Sequence, residues 1–233
     1  MVRQCMWMFA TVRLRCHAVR HSVVGQVFTT LMTGSPDRLR IAVSSLSDAV
    51  PAHLRRSPLG WADVQAWETA HGVELPEPYR TFVAEVSNGS LEGPSAAHGL
   101  LPMGELPENW QGWEADCWLS PEPFDGTAAR NLAVPFPLEE EWQWEYDYYD
   151  HDEHSPLLHG IYQHGSVLLG SNRDCEFWVL VVTGPQRGRI WWLGDGCVAP
   201  YADPGEEAEP ETDFVAWFEE WQADRGWWSQ RLQ

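Results

Sequence analysis

The side chains of this sequence with the clearest capacity for metal chemistry lie between positions 151 and 164. They are His151, Asp152, Glu153, His154, His159 and His164. Imidazole and carboxylate groups are common zinc ligands, but His151 and His154 lack the H-E-x-x-H spacing that places two ligands and a base on one helical face. We therefore predict no metal site and no cofactor, and keep a metal-dependent hydrolase as an alternative function.

Residues that could act in covalent or acid–base catalysis are also poorly placed. The sequence has no lysine and no phosphate-binding glycine motif, and Cys117 lies between Asp116 and Trp118 without a nearby cation to favour its thiolate form. Acidic residues are numerous, but none is set among apolar residues that would tune one carboxyl group as a general acid. The sequence therefore predicts a binding protein rather than an enzyme, with no catalytic residue.

Acidic and aromatic residues are interspersed between positions 139 and 150, which is typical of a protein-binding surface. The residues predicted to contact a partner are Glu139, Glu140, Glu141, Trp142, Asp147, Tyr148, Tyr149 and Asp150. The aromatic rings offer large apolar contacts, and the carboxylates offer charge complementarity to a basic partner. The alternative is that these charges only solubilise a loop whose aromatic rings pack into the core.

The overall charge indicates the sign of the partner's charge. The 233 residues include 34 acidic and 15 basic side chains, every basic one an arginine, for a formal net charge of -19. This charge opposes binding to nucleic acid or to anionic lipid, since both need clustered cations. The five cysteines form no C-x-x-C pair and are odd in number, which favours a reducing compartment. We predict a cytoplasmic protein with a basic protein partner and leave its oligomeric state open.

The first 31 residues differ from the rest in charge. They contain Arg3, Arg13, Arg15 and Arg20 and no acidic residue, so the remaining chain has 11 arginines against 34 acids, a difference of -23. Such a leader is expected to be an over-extended translation start before Met32, or an organellar transit peptide. The predicted organisation is a leader over residues 1–31, a helical extension over 32–57, one domain over 58–225 and a tail over 226–233.

Apolar residues recur at helical spacing in four places. The predicted helices cover residues 37–50, 57–71, 75–87 and 214–221. Gly72 is expected to end the second helix in a left-handed conformation. In the third helix, Tyr79, Phe82, Val83 and Val86 form a stripe that is expected to be buried.

Short apolar runs separated by glycine and proline predict strands between the third and the last helix. The predicted strands are residues 100–103, 131–136, 166–169, 177–182 and 189–193. Residues 183–188 predict an antiparallel hairpin, and residues 177–182 are apolar on both alternating faces, as in a strand covered on both sides. Residues 104–130 and 139–164 are predicted to be long connections. This order predicts an α+β fold with N-terminal helices, a mainly antiparallel β-sheet and a C-terminal helix packed on the sheet.

The third predicted helix contains residues that resemble a known family. The sequence Gly72-Val-Glu-Leu-Pro-Glu-Pro-Tyr-Arg-Thr-Phe82, followed by Ser87-Asn-Gly-Ser90, is similar to the signature of the SMI1/KNR4 family, also called the SUKH superfamily. The matching motif residues are Leu75, Pro76, Tyr79, Arg80, Phe82, Asn88 and Gly89. The resemblance extends over roughly residues 58–221, through glycine-containing strands to the last helix.

This resemblance implies an SMI1/KNR4-like fold and a non-catalytic role. Many bacterial members are regarded as immunity proteins that neutralise toxins delivered between competing cells, whereas fungal members are regulatory scaffolds linked to cell-wall synthesis. The arginine-only, tryptophan-rich composition favours a GC-rich bacterial genome and, with it, the immunity role. The implied partner is a cognate protein toxin, expected to be basic and directed at nucleic acid, and the alternative is a regulatory scaffold.

Overall fold

The structure is a computed structural model. The parts of the chain that it describes are residues 36–95, 99–107, 110, 130–143, 155–171, 176–194, 197–201 and 214–222. Within these ranges, no helix has both the length and the apolar character needed to cross a membrane.

Helices precede, interrupt and follow the strands. They are α1 (Pro36–Ala49), a 3-10 turn (Ala52–Leu54), α2 (Trp61–His71), α3 (Tyr79–Thr81) continuing as a π-helical turn (Phe82–Val86), α4 (Ser155–Gln163) and α5 (Phe214–Gln222). Gly72 ends α2 with a φ of 67°, and its N–H donates to the carbonyls of Glu68 and Thr69, which confirms the predicted ending. The beginning of α2 is later than predicted, at Trp61 rather than near residue 57.

The helix of the family motif also begins later than predicted. It starts at Tyr79 rather than near Leu75. The Glu77 carboxylate accepts hydrogen bonds from the N–H and the hydroxyl of Thr81 at 3.1 and 2.7 Å, and so occupies donors of the first turn. The predicted buried stripe is confirmed for Tyr79, Phe82 and Val83, whereas Val86 is half-buried.

The described strands form two antiparallel sheets. β1 (Ser90–Ser95) pairs with β2 (Gly99–Leu100), and the larger sheet contains β3 (Trp142–Gln143), β4 (Ser166–Ser171), β5 (Phe177–Val181), β6 (Ile190–Leu193) and β7 (Cys197–Pro200). The order across the larger sheet is β3-β7-β6-β5-β4. The smaller sheet adjoins β4, since the Leu101 N–H donates to the Leu169 carbonyl at 2.8 Å.

Both faces of the larger sheet are buried, which confirms the prediction for residues 177–182. One face packs against α1, α2, α3 and α5, and the rings of Trp178 and Trp217 lie 5.7 Å apart there. The other face packs against α4 and residues 136–142, where the rings of Phe136 and Trp191 meet edge to face at 5.1 Å. The α+β class, the hairpin and the packing of the C-terminal helix on the sheet are therefore confirmed.

Residues 131–136 form turns instead of the predicted strand. The Asn131 side-chain oxygen accepts a hydrogen bond from the Ala133 N–H at 3.2 Å, and the Asn131 carbonyl accepts one from the Val134 N–H at 3.3 Å. Asparagine turns of this kind compete with strand pairing, and Pro135 has no N–H to offer a neighbouring strand. Asn131 itself forms an isolated bridge with His164.

Residues 139–164 are not one long connection as predicted, because they contain β3 and α4. Pro156 lies in the first turn of α4, where its missing N–H breaks no helical hydrogen bond, and Ile161 and Tyr162 are buried on the helix face toward the sheet. The sequence also failed to indicate β1 and β3. β1 contains serine, glycine and proline, and β3 has two residues, so neither shows an apolar alternation.

Candidate partner-binding surface

Four of the predicted partner-binding residues form a segment that leads into β3. We call Glu139, Glu140, Glu141 and Trp142 the acidic segment. Glu139 and Glu140 are exposed, whereas Glu141 and Trp142 are half-buried. Trp142 pairs with Val198 of β7 and packs against the core beneath the sheet. The acidic segment therefore presents charge outward while its last residue attaches it to the sheet.

The start of the acidic segment is held by the turn between β5 and β6. The buried Phe136 donates its N–H to the Thr183 carbonyl at 2.9 Å, and Gln186 donates from Nε2 to the Glu139 carbonyl at 2.9 Å. Residues 137–142 line a shallow depression. Because this depression combines carboxylates with an indole ring, its chemistry suits a guanidinium or ammonium group.

The same turn also contacts the loop that precedes the family motif. Arg187 donates from Nη2 to the carbonyls of Glu74 and Leu75, at 3.1 and 3.2 Å. The Glu74 side chain is 69% exposed. Two consecutive residues of one turn, Gln186 and Arg187, thus bind the backbone of the acidic segment and that of Glu74, respectively.

The remaining predicted contact residues lie outside the described residues. They are Asp147, Tyr148, Tyr149 and Asp150. The same holds for His151 and His154 of the alternative metal site. In the part of the chain that is described, no group of three or more His, Cys, Asp or Glu side chains could hold a metal ion.

The motif residues of α3 have structural roles. Leu75, Pro76, Tyr79 and Phe82 are buried, and the last two place their rings 5.0 and 5.4 Å from the ring of Phe214 in α5. Burial raises the pKa of the Tyr79 hydroxyl above its usual range, because the phenolate would lose its hydration. Tyr79 and Phe82 therefore join this part of the motif to the C-terminal helix.

Arg80, the charged residue of the motif, joins α3 to α2. It donates from Nε and Nη2 to the two carboxylate oxygens of Glu68, at 2.9 and 2.8 Å, and Glu68 also accepts the Leu75 N–H at 2.8 Å. The hydrogen bond to Glu68 is the main reason that the pKa of Arg80 is raised. The guanidinium lies 5.4 Å from the ring centre of Trp61. Since Glu68 is buried, this ion pair stabilises the packing of α2 against α3.

Asn88 and Gly89 close the motif against β2. Asn88 accepts the Met103 N–H at its side-chain oxygen, at 2.8 Å. Gly89 has a φ of 91°, and a Cβ at this position would lie 2.7 Å from the Leu100 carbonyl oxygen. A side chain is thus excluded both by the backbone conformation and by the neighbouring strand.

Sequence reasoning did not relate Glu74 or residues 139–142 to Gln186 and Arg187 of the hairpin turn. Glu74 lies in the motif itself, but nothing in its spacing relates it to residues 139–142. The hairpin was predicted. A polar turn between two buried strands is only a weak signal that its side chains bind other segments of the chain. The proximity arises from the turn's hydrogen bonds to both segments.

The N-terminal helices, the antiparallel sheets and the C-terminal helix agree with the α+β fold that the motif residues implied. The model of the SMI1 / KNR4 family (SUKH-1) matches residues 58–220. This match covers more than half of the chain, and the protein belongs to that family. SUKH proteins are commonly immunity proteins in toxin systems, and they typically act by binding cognate toxins rather than by catalysis. No curated protein and no solved structure matches the chain.

Proposed function

We propose that this protein is a bacterial, cytoplasmic immunity protein that neutralises a cognate basic toxin by direct binding. Its contact surface comprises the acidic segment, and it acts without catalysis. The observation that carries the proposal is the exposed pair Glu139 and Glu140, which the half-buried Trp142 and the hairpin turn hold in place on a SUKH fold. A toxin that acts on nucleic acid needs cationic groups, and these groups are the natural target of such a surface.

Electrostatics supports the proposal through the rate of association. A net charge of -19 draws a basic protein toward this chain, and local carboxylates orient it on contact. Anchoring to the sheet reduces the entropy that a mobile acidic loop would lose on binding. The depression beside Trp142 offers a place for an arginine or lysine side chain of the toxin.

We further propose that Glu74 belongs to the same contact surface. Arg187 binds the backbone of Glu74 while Gln186 binds that of Glu139, so one turn positions both carboxylates. The Glu74 side chain is largely exposed. A partner that covers the turn would therefore meet charge on both sides of it.

The first experiment identifies the partner. The full chain, tagged and expressed in its native host, is purified at low and at high salt, and bound proteins are identified by mass spectrometry. We expect one basic protein in equal stoichiometry, retained less well at high salt. Expression of that protein alone should arrest growth, and its co-expression with this chain should restore growth. Heterogeneous complexes, or a bound protein without toxicity, would contradict the immunity role.

Matched charge variants then locate the surface. We compare Glu139→Gln/Glu140→Gln with Asp48→Asn/Glu92→Gln, which removes the same charge from exposed residues of α1 and β1. Glu92 is in β1, which adjoins β4, and β4 and β3 are the two edges of the larger sheet, about 19 Å apart at about 4.8 Å per strand. This separation exceeds the screening length of about 8 Å at physiological salt. Asp48 is in α1, which packs on the opposite face of the sheet from residues 136–142.

For the first pair we expect association to slow by about 3- to 10-fold at 150 mM salt, and for the control pair by less than about 2-fold. Stopped-flow fluorescence with the purified toxin measures both rates. Equal effects of the two pairs would mean that net charge, rather than the acidic segment, governs binding. Asp147→Asn/Asp150→Asn tests the predicted extension of the surface in the same assay, since unchanged rates would exclude those residues from it.

A further inference from the structure

An exposed group of apolar residues lies immediately before the acidic segment in the chain. We call these residues the apolar loop, and they are Ala133, Val134, Pro135 and Pro137. All four are exposed, and their side chains consist of hydrocarbon alone. The intervening and flanking residues Leu132, Phe136 and Leu138 are buried. Single exposed apolar residues are ordinary, but a contiguous patch of them is typical of an interaction surface.

The apolar loop is held firmly from its inner side. Phe136 donates its N–H to the Thr183 carbonyl at 2.9 Å. A Cβ at Gly165 would lie 2.9 Å from the carbonyl carbon of Pro135, and one at Gly184 would lie 3.3 Å from the Pro135 Cβ, so the loop packs closely on two neighbouring segments. A partner that covers the apolar loop therefore loses little binding free energy to the ordering of flexible chain.

The apolar loop is continuous with the acidic segment. Pro137 lines the same shallow depression as Glu139, Glu140 and Trp142. A partner group in this depression therefore meets an apolar side chain beside carboxylates. In protein interfaces, contacts between apolar groups supply most of the affinity at the centre, whereas exposed charges mainly guide the approach of the partner.

Charge distinguishes a foreign protein from a second copy of this chain as the occupant. In a symmetric dimer through the apolar loop, Glu139 and Glu140 of both copies would enter the same interface. Each copy has a net charge of -19, so two copies repel each other. A basic protein instead places its cations opposite these carboxylates while its apolar side chains cover the loop.

We infer that the apolar loop is the apolar centre of the toxin-contact surface, and that the toxin covers it with an aliphatic or aromatic side chain flanked by arginine or lysine. This inference rests on the proposed immunity function and adds to it a division of roles. The acidic segment governs how fast the toxin associates, and the apolar loop governs how slowly it dissociates.

The test replaces Val134 by threonine. This change keeps the branched shape and the charge, but a bound partner would have to desolvate the new hydroxyl group. Val134 is 37% exposed, so the fold should tolerate the change. The control is Ile41→Thr, because Ile41 is 66% exposed and belongs to α1, which packs on the opposite face of the sheet from residues 136–142.

The binding partner in the assay is the basic protein recovered by co-purification, and surface plasmon resonance at about 150 mM salt measures both rates. We expect Val134→Thr to raise the dissociation rate by about 3- to 10-fold and to change the association rate by less than about 2-fold. Ile41→Thr should change neither rate. The variant Glu139→Gln/Glu140→Gln should show the reverse pattern, with slower association.

An unchanged dissociation rate for Val134→Thr, together with slower association of the charge variant, would overturn this inference and leave the immunity function intact. Recovery of no basic partner would instead contradict the immunity function, and this inference with it. Self-association of the chain that Val134→Thr abolishes in analytical ultracentrifugation would identify a second copy as the occupant and would also overturn the inference.

A second measurement uses only the unaltered protein, so it does not depend on the folding of a variant. Calorimetry of toxin binding at several temperatures gives the change in heat capacity. Burial of apolar surface makes this change negative, which is the expected result. A change near zero would show that the interface has no apolar centre.

Discussion

Replacement of Arg80 by methionine tests whether the charged residue of the family motif stabilises the fold or contacts a partner. The substitution keeps an unbranched apolar stem but removes the two hydrogen bonds to Glu68, at 2.9 and 2.8 Å. The Glu68 side chain is 8% exposed, and it would keep the Leu75 N–H as its remaining donor. The variant therefore leaves a buried carboxylate without its cation.

The size of the effect follows from this geometry. Removing one partner of a buried ion pair typically costs about 3–5 kcal/mol. The Arg80 side chain is 21% exposed, so water can reach the vacated position, and we expect a loss of about 2–4 kcal/mol. For a domain of this size, each kcal/mol lowers Tm by about 2–4 °C, which predicts a decrease of roughly 5–15 °C.

Urea unfolding followed by tryptophan fluorescence and circular dichroism measures the free energy of unfolding. Glu74→Gln is the matched control, because its contact with Arg80 is longer, at 3.4 Å, and its side chain is 69% exposed. An exposed pair contributes at most about 1 kcal/mol. In a double-mutant cycle, Glu68→Met/Arg80→Met should be less destabilised than the sum of the single variants.

Two results would refute this reasoning. The first is a loss for Arg80→Met no greater than that for Glu74→Gln. The second is additivity of the Glu68 and Arg80 substitutions, since independent sites show no coupling. A stable Arg80→Met protein that no longer binds the toxin would instead place Arg80 in the interface.

Two further predictions concern the motif. Tyr79→Phe should change stability little at pH 7, because the buried hydroxyl has no hydrogen-bond partner. Above pH 10 the tyrosine ionises in the unfolded chain but not in the folded protein, because burial raises its folded-state pKa. In urea unfolding, the free energy of unfolding of the unaltered protein should therefore fall by up to about 1.4 kcal/mol per pH unit more than that of the variant. Parallel pH profiles would contradict the burial of this hydroxyl. Gly89→Ala should cost at least about 2 kcal/mol, since it adds a clash with Leu100 to the cost of a positive φ. Gly72→Ala is the control and should cost only about 1 kcal/mol, because Gly72 has a left-handed φ of 67° and its Cβ would meet only the Ala133 Cβ, at 3.7 Å. Equal losses would show that the approach of β2 is unimportant.

Much of the fold was predictable because the clearest patterns of apolar residues along the sequence correspond to the surfaces that are buried in the structure. The helical spacing at Tyr79, Phe82 and Val83 and the apolar run of β5 describe surfaces that are indeed buried. The predicted strand at residues 131–136 failed because the side chain of Asn131 binds its own backbone, a local interaction that apolar spacing does not record. α4 was not predicted because proline and glycine usually disfavour a helix, whereas Pro156 lies in its first turn, where proline is tolerated.

The candidate surface was predictable in part. Carboxylates beside tryptophan in residues 139–142 predict a binding segment, and that role stays a prediction; the structure shows that Glu139 and Glu140 are exposed and that Glu141 and Trp142 are half-buried. Their relation to Glu74 was not predictable, since it depends on two hydrogen bonds from one turn that is more than 40 residues away in sequence from either carboxylate. Arg80 differs from these carboxylates. As a charged motif residue it could have contacted a partner, but in the structure it forms an ion pair with Glu68.

The amino-acid sequence alone determined the family, the α+β class, the negative charge of the chain and the aromatic helix faces that form the core. These properties follow from residue type and from spacing within one element, so a linear pattern contains them. Tertiary structure decided the surroundings of each charge: Glu139 is exposed beside the hairpin turn, Glu74 is exposed but lies 3.4 Å from Arg80, and Glu68 is buried and paired with Arg80. The reason is physical, because the interactions of a charge depend on its distance from other groups and on its access to water, and both are set by segments far apart in the chain.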